Sequence, residues 1–156
     1  MITQEQQEQA VVQGEVVDAP QDTQQDDFEA EFTAVIEKAG LVAFTPGGSI
    51  FLVHTSADPN KWVLPKGHVE ESDKSLIECA VREFQEEVGF DAELITDQPV
   101  AKIDRQSQMY DPDIDETVDV IERVTFYLAN ATNYLHDPER STLIIRPTEA
   151  IRKVRV

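Results

Sequence analysis

The chain has 156 residues, enough for one domain with a modest core, and carries a net charge of −18 from 31 acidic and 13 basic side chains. So acidic a polymer has no broad electrostatic footprint for nucleic acid, and no apolar run approaches membrane-spanning length. A single Cys excludes a disulfide within the chain and points to a reducing, cytoplasmic setting; residues 1–5 carry no positive charge and lead into no apolar core, so no signal peptide is expected.

Charge is unevenly spread. Residues 1–37 hold ten acidic residues and no Lys or Arg. Residues 1–27 are rich in Gln, Glu and Asp and lack a core-forming pattern, which predicts a disordered tail followed by a folded domain over 28–156. Phe32 to Phe44 is β-rich, with a break expected near Lys38-Ala39-Gly40. Pro46-Gly47-Gly48 signals a turn, and Ile50–Val53 reads as the returning strand of a hairpin. Asp58-Pro59-Asn60 marks another turn, and Trp62-Val63-Leu64 is a short strand feeding a loop at Gly67.

The most informative stretch follows, from Leu64 to Phe90. Leu76, Ile77, Ala80, Val81, Phe84 and Val88 recur at helical spacing and form one apolar stripe. Ser72 or Asp73 is the expected N-cap, and Gly89 the residue that ends the helix in a left-handed conformation. Beside the stripe, Glu83 and Glu87 stand one above the other, with Glu86 roughly 60° away. Like charges at this spacing cost a helix a few tenths of a kcal/mol, and a bound divalent cation would remove that cost. Arg82 can pair with Glu86 at i,i+4 or with Glu78 at i−4. A solvated acidic face is the competing reading of the same residues.

This stretch resembles the Nudix box, G-x5-E-x7-R-E-U-x-E-E-x-G-U with U bulky and apolar. Arg82, Glu83, Phe84, Glu86, Glu87, Gly89 and Phe90 match its second half. Gly67, within Pro65-Lys66-Gly67-His68-Val69-Glu70, matches the first. One residue too many separates Gly67 from Arg82, so the first Glu of the pattern falls on Asp73 or Lys74. The surplus is expected to be absorbed around Glu71–Asp73, since carrying it into the helix would rotate every later residue by about 100°.

The resemblance implies an α/β fold, a Nudix-type α/β/α sandwich with a mixed sheet. It further implies a metal-dependent hydrolase acting on a phosphoanhydride in a nucleoside diphosphate-linked compound. Glu83, Glu86 and Glu87 would hold Mg²⁺ or Mn²⁺ with the Gly67 carbonyl, and Arg82 would orient them. Lys66 is the candidate substrate-phosphate contact. The Trp62–Glu70 run is similar to the branch acting on dinucleoside polyphosphates or diphosphoinositol phosphates. The alternative is a Nudix-like binding module without turnover.

Beyond the helix, Asp91–Ile95, Val100–Ile103 and Thr117–Leu128 read as strands, and Pro147 opens a short C-terminal helix over Thr148–Val154. Asp111, Asp113, Asp115, Asp119 and Glu122 fall on positions 1, 3, 5, 9 and 12 of a calcium-binding loop. Glu116 stands where that loop needs Gly, and the flanks read as strands. An acidic loop near the active site is the favoured reading, with Glu116 as the candidate further carboxylate. Cys79 reads as packing, His68 is given no role, and Arg140, Arg146, Arg152, Lys153 and Arg155 make the C-terminal end basic.

Overall fold

The computed structural model describes residues 34–153, apart from 56 and 59. The tail expected over residues 1–27 lies outside this range. Eight strands form one sheet: β1 (Ala34–Phe44), β2 (Ile50–His54), β3 (Trp62–Val63), β4 (Lys66–His68), β5 (Phe90–Leu94), β6 (Ala101–Asp111), β7 (Glu116–Tyr134) and β8 (Thr142–Ile145). The described residues also form two helices, α1 (Leu76–Val88) and α2 (Pro147–Lys153). The spine of the sheet runs β3-β2-β1-β7-β5, with β4 on β1, β6 on β7 and β8 on β2.

Alternation along β1 and β2 explains the layers. Ala39, Leu41 and Ala43 of β1 and Phe51 and Val53 of β2 join Ala80, Phe84 and Val88 of α1 in one core. Val42, Phe44, Ile50 and Leu52 point the other way and pack with Ala150 of α2. A strand covered on both faces must read as a continuous apolar run, which is what Ile50-Phe51-Leu52-Val53 is. The result is the expected α/β/α sandwich with its mixed sheet.

Three details depart from the sequence reading. First, β1 runs unbroken through Lys38-Ala39-Gly40. Gly40 is needed there because a side chain would collide with the Pro65 carbonyl of the segment entering β4. Second, Ser75 caps α1, accepting from the Glu78 amide at 3.1 Å. Ser72 and Asp73 belong to the preceding turn, in which Asp73 N–H donates to the Glu70 carbonyl at 2.9 Å. Third, β6 and β7 are far longer than expected and pair continuously from Ala101↔Phe126 to Asp111↔Glu116, a ribbon of eleven residue pairs.

Candidate active site

β4 and α1 bring the Nudix-like residues together. Lys66 and Gly67 lie on β4, which is held against β1 through Gly40↔Lys66 and Ala39↔Gly67. Gly67 sits directly beneath the Glu83 carboxylate, in space that any Cβ at that position would fill. Glu83 and Glu87, one turn apart on α1, line a cavity of about 380 Å³ together with Lys38, Lys66, Gly67, His68, Glu70 and Arg140.

Arg82 ties the junction together. Its guanidinium donates to both oxygens of Asp73, at 2.9 and 2.8 Å, and to the His68 carbonyl at 3.0 Å. The remaining nitrogen donates to Glu83 Oε2 at 3.1 Å and to Glu86 at 3.3 Å. Of the two pairings open in the sequence, Glu86 is the one made; Glu78 instead accepts from the Lys74 amide. Asp73 is therefore the residue that stands in the place of the box's first Glu. Paired with Arg82, its carboxyl is held down at about 2. The surplus residue is taken up between Asp73 and the start of α1, slightly later than expected, and the helix phase is kept.

Burial raises the pKa of Glu83, with Arg82 opposing it. Glu87 is 7 % exposed, and burial pushes its carboxyl up to about 7 against the pull of Arg140. Arg140 approaches Glu87 Oε2 at 3.8 Å, while Glu87 Oε1 is buried and accepts no hydrogen bond from the described residues. Lys66 is lowered, first by burial and then by Lys38.

The three carboxylates expected to crowd one face do not share one position. Glu83 and Glu87 face the cavity, whereas the Glu86 side chain, 46 % exposed, turns to Arg82. Among the described residues, no three His, Cys, Asp or Glu side chains converge as a ready cation site. Arg82 supplies the positive charge beside Glu83 and Glu86. Even so, the donors suit a hard divalent cation: two carboxylates in one cavity, one with an oxygen lacking a partner, over a glycine that leaves room for them.

Cys79 is wholly buried, with Sγ 3.5 and 3.6 Å from the His68 and Gly67 carbonyls, and burial raises its thiol to about 11. It is packing, as expected. Glu116 is not near the cavity; it lies at the far end of the β6–β7 ribbon, opposite Asp111. Lys38 and Glu70, which line the cavity, were not singled out in the sequence. Lys38 had no local signal, because it meets Glu122, 84 residues away.

A model of the NUDIX domain matches residues 36–153. No curated protein matches the chain. Among solved structures, the E. coli ORF135 protein superimposes with a TM-score of 0.59 at 22 % identity, covering 78 % of this chain and 80 % of that one. The E. coli dihydroneopterin triphosphate pyrophosphohydrolase gives 0.59 at 16 % identity, over 77 % and 86 %. A C. elegans Ap4A hydrolase gives 0.50 at 22 % identity, over 76 % and 86 %. At these identities the likeness establishes the fold. The chain belongs to the NUDIX domain family. Its assignment as a hydrolase of the phosphoanhydride-cleaving kind follows from that family.

Proposed function

We propose that this hydrolase depends on Mg²⁺ or Mn²⁺, and that Glu83, Glu87 and the Gly67 carbonyl bind the cation, with Glu86 joining from the rim. The observation that carries the proposal is the pair of largely buried carboxylates in one cavity, facing Lys66. A bound cation would neutralise phosphate oxygens and make water a better nucleophile. The chain's own groups do the rest. Lys66 contacts a substrate phosphate as a point charge. Arg82, anchored by Asp73, fixes the direction of the Glu83 carboxylate. Glu87 Oε1, which accepts no hydrogen bond from the described residues, can orient the attacking water or take its proton.

The substrate proposed is a nucleoside diphosphate linked to another group, with dinucleoside polyphosphates and diphosphoinositol phosphates first. Two structural relatives, a dihydroneopterin triphosphate pyrophosphohydrolase and an Ap4A hydrolase, support a phosphoanhydride as the bond cleaved. The proposed catalytic domain is 28–156, with 1–27 an appended acidic tail. No helix among the described residues is long and apolar enough to cross a membrane, and the free, buried Cys79 suits a reducing cytoplasm.

Incubating the protein with a panel of phosphoanhydrides and following products by ³¹P NMR tests this. Turnover is expected with Mg²⁺ or Mn²⁺ and not with EDTA. Equal turnover in EDTA, or none of any compound with metal, would overturn it.

A further inference from the structure

Besides Glu70, Glu83 and Glu87, the cavity is lined by basic side chains. Lys66 of β4 and Lys38 of β1 line it. The Lys38 ammonium lies 3.5 Å from Glu122 Oε1, and its side chain is only 16 % exposed. The same oxygen accepts from Arg105 at 3.0 Å. Arg105 comes from β6 and Glu122 from β7, directly paired across the ribbon. One carboxylate thus serves two cations, and the nearer claim is that of Arg105.

Around Glu122, Lys38 and Arg105 leave one positive charge in excess, and Lys38 stands with Lys66 in the cavity. A half-compensated, largely buried ammonium lacks the water that would otherwise solvate it. An anionic ligand would supply what Glu122 does not. Lys66 and Lys38 come from the paired strands β4 and β1, and both line the cavity. Two ammonium groups from different strands offer two points of contact rather than one, which suits a chain of phosphates better than one carboxylate or one phosphate.

We propose that Lys38, with Arg105 beside it, is a specificity-determining residue that binds phosphates beyond the cleaved linkage, so that the cavity favours substrates with longer phosphate chains. This rests on the reading of the cavity as a phosphoanhydride site. Glu122 acts as the internal counter-ion, which a substrate phosphate displaces from Lys38. A purely structural trio, stapling the ribbon to β1, is the competing explanation.

The two differ in sign. In metal-free buffer, inorganic tripolyphosphate and pyrophosphate are titrated into the protein and followed by ³¹P NMR, with thermal melts to monitor folding. The unmodified protein is expected to bind tripolyphosphate about tenfold more tightly than pyrophosphate, the worth of about one charge-assisted contact. Lys38→Gln should abolish that preference, and Lys38→Arg should keep it. Glu122→Gln, which frees both cations, should tighten tripolyphosphate binding severalfold. A staple predicts weaker binding in both Gln variants. The proposal is overturned if the unmodified protein shows no preference, if Lys38→Gln retains it, or if Glu122→Gln binds less tightly or equally. Should Lys38→Gln fail to fold, Glu122→Gln decides alone. Absence of hydrolysis with Mg²⁺ would refute the proposed function in its own assay and leave this binding result standing.

Discussion

Two acidic clusters of similar composition lie in this chain, and they have opposite fates. On α1, Glu83 and Glu87 have side chains 12 % and 9 % exposed and face a cavity. At the end of the β6–β7 ribbon, Asp113, Asp115 and Glu116 are exposed and Asp119 follows on the strand. The element decides the difference. A helix returns residues i and i+4 to one face, so carboxylates four apart share surroundings. A strand advances about 3.3 Å per residue and alternates faces, so Glu122 lies roughly 20 Å along the ribbon from Glu116. Spacing that would close a calcium loop in one backbone scatters the same side chains in another. Carboxylates become chemical where the fold removes them from water and gives them cationic neighbours.

The largest expected effect breaks the helical cluster at its most buried member. Glu87→Gln keeps shape and removes a charged oxygen from the cavity. Phosphoanhydride turnover should fall by about 10²–10³, the usual worth of one electrostatic stabiliser of a transition state. In EDTA the melting temperature should stay equal or rise, because a charge disfavoured by burial has gone. The rise in melting temperature on adding Mg²⁺ should shrink. Full activity in the variant would remove Glu87 from the site.

Next in size is the anchor that separates this cluster from a mere acidic face. Asp73→Asn weakens the two-pronged grip on Arg82 and should cost about 1–2 kcal/mol in chemical denaturation at pH 7. The sign with pH follows from the depressed carboxyl. Asp73 moves from 3.8 down to about 2, so its contribution is present above pH 3.8 and is lost as pH falls through about 2. The gap between the two proteins should therefore close on acidification. A gap independent of pH between 2 and 5 would show that the ion pair is not its source.

How much of this was legible follows the same physics. The apolar stripe of α1 and the Gly89 stop rest on local periodicity and backbone preference, and both stand in the structure. So does the continuous run of β2, whose burial on both faces is written in four apolar residues. Ser75 was missed as N-cap because Ser72, Asp73 and Ser75 all carry capping oxygens, and only the turn that engages Asp73 with Glu70 and Arg82 decides among them. Lys38 and Glu122 were invisible as partners because their contact depends on register between β1 and a distant ribbon. The length of β6 and β7 was understated for a related reason. Their polar, exposed residues look like loop, yet each pairs with a neighbour that only tertiary structure supplies.

A smaller effect sharpens the contrast within α1 itself. Glu86 shares the helix with Glu87 but sits at the rim, bonded to Arg82. Glu86→Gln should lower turnover less than Glu87→Gln does, by about tenfold, and should weaken Mg²⁺ binding by a similar factor. Parallel kinetics and Mg²⁺ titrations of the two variants would check the ranking. Equal losses would mean that Glu86 swings into the cavity when the cation binds.

The smallest expected effect is at the ribbon tip, where the sequence placed five acidic residues on calcium-loop positions. Asp111 Oδ1 is engaged by the Asp113 amide at 3.0 Å, and Asp119 by Gln108 at 3.1 Å. Asp115 adopts a left-handed backbone with φ of 54°, the conformation that closes the turn. These carboxylates are therefore shaping a hairpin, and Glu122 is spent on Lys38 and Arg105. A loop that must gather six or more oxygens round one ion has no route to them here. Asp113→Asn, whose side chain is exposed and at the outermost position, should leave turnover unchanged within error and stability within about 0.5 kcal/mol. Ca²⁺ titrated into the unmodified protein and into this variant, read by isothermal calorimetry, should give the same isotherm. A Ca²⁺-binding event that Asp113→Asn removes would overturn the division between the two clusters, since it would show the ribbon assembling an ion site from residues the strand geometry keeps apart.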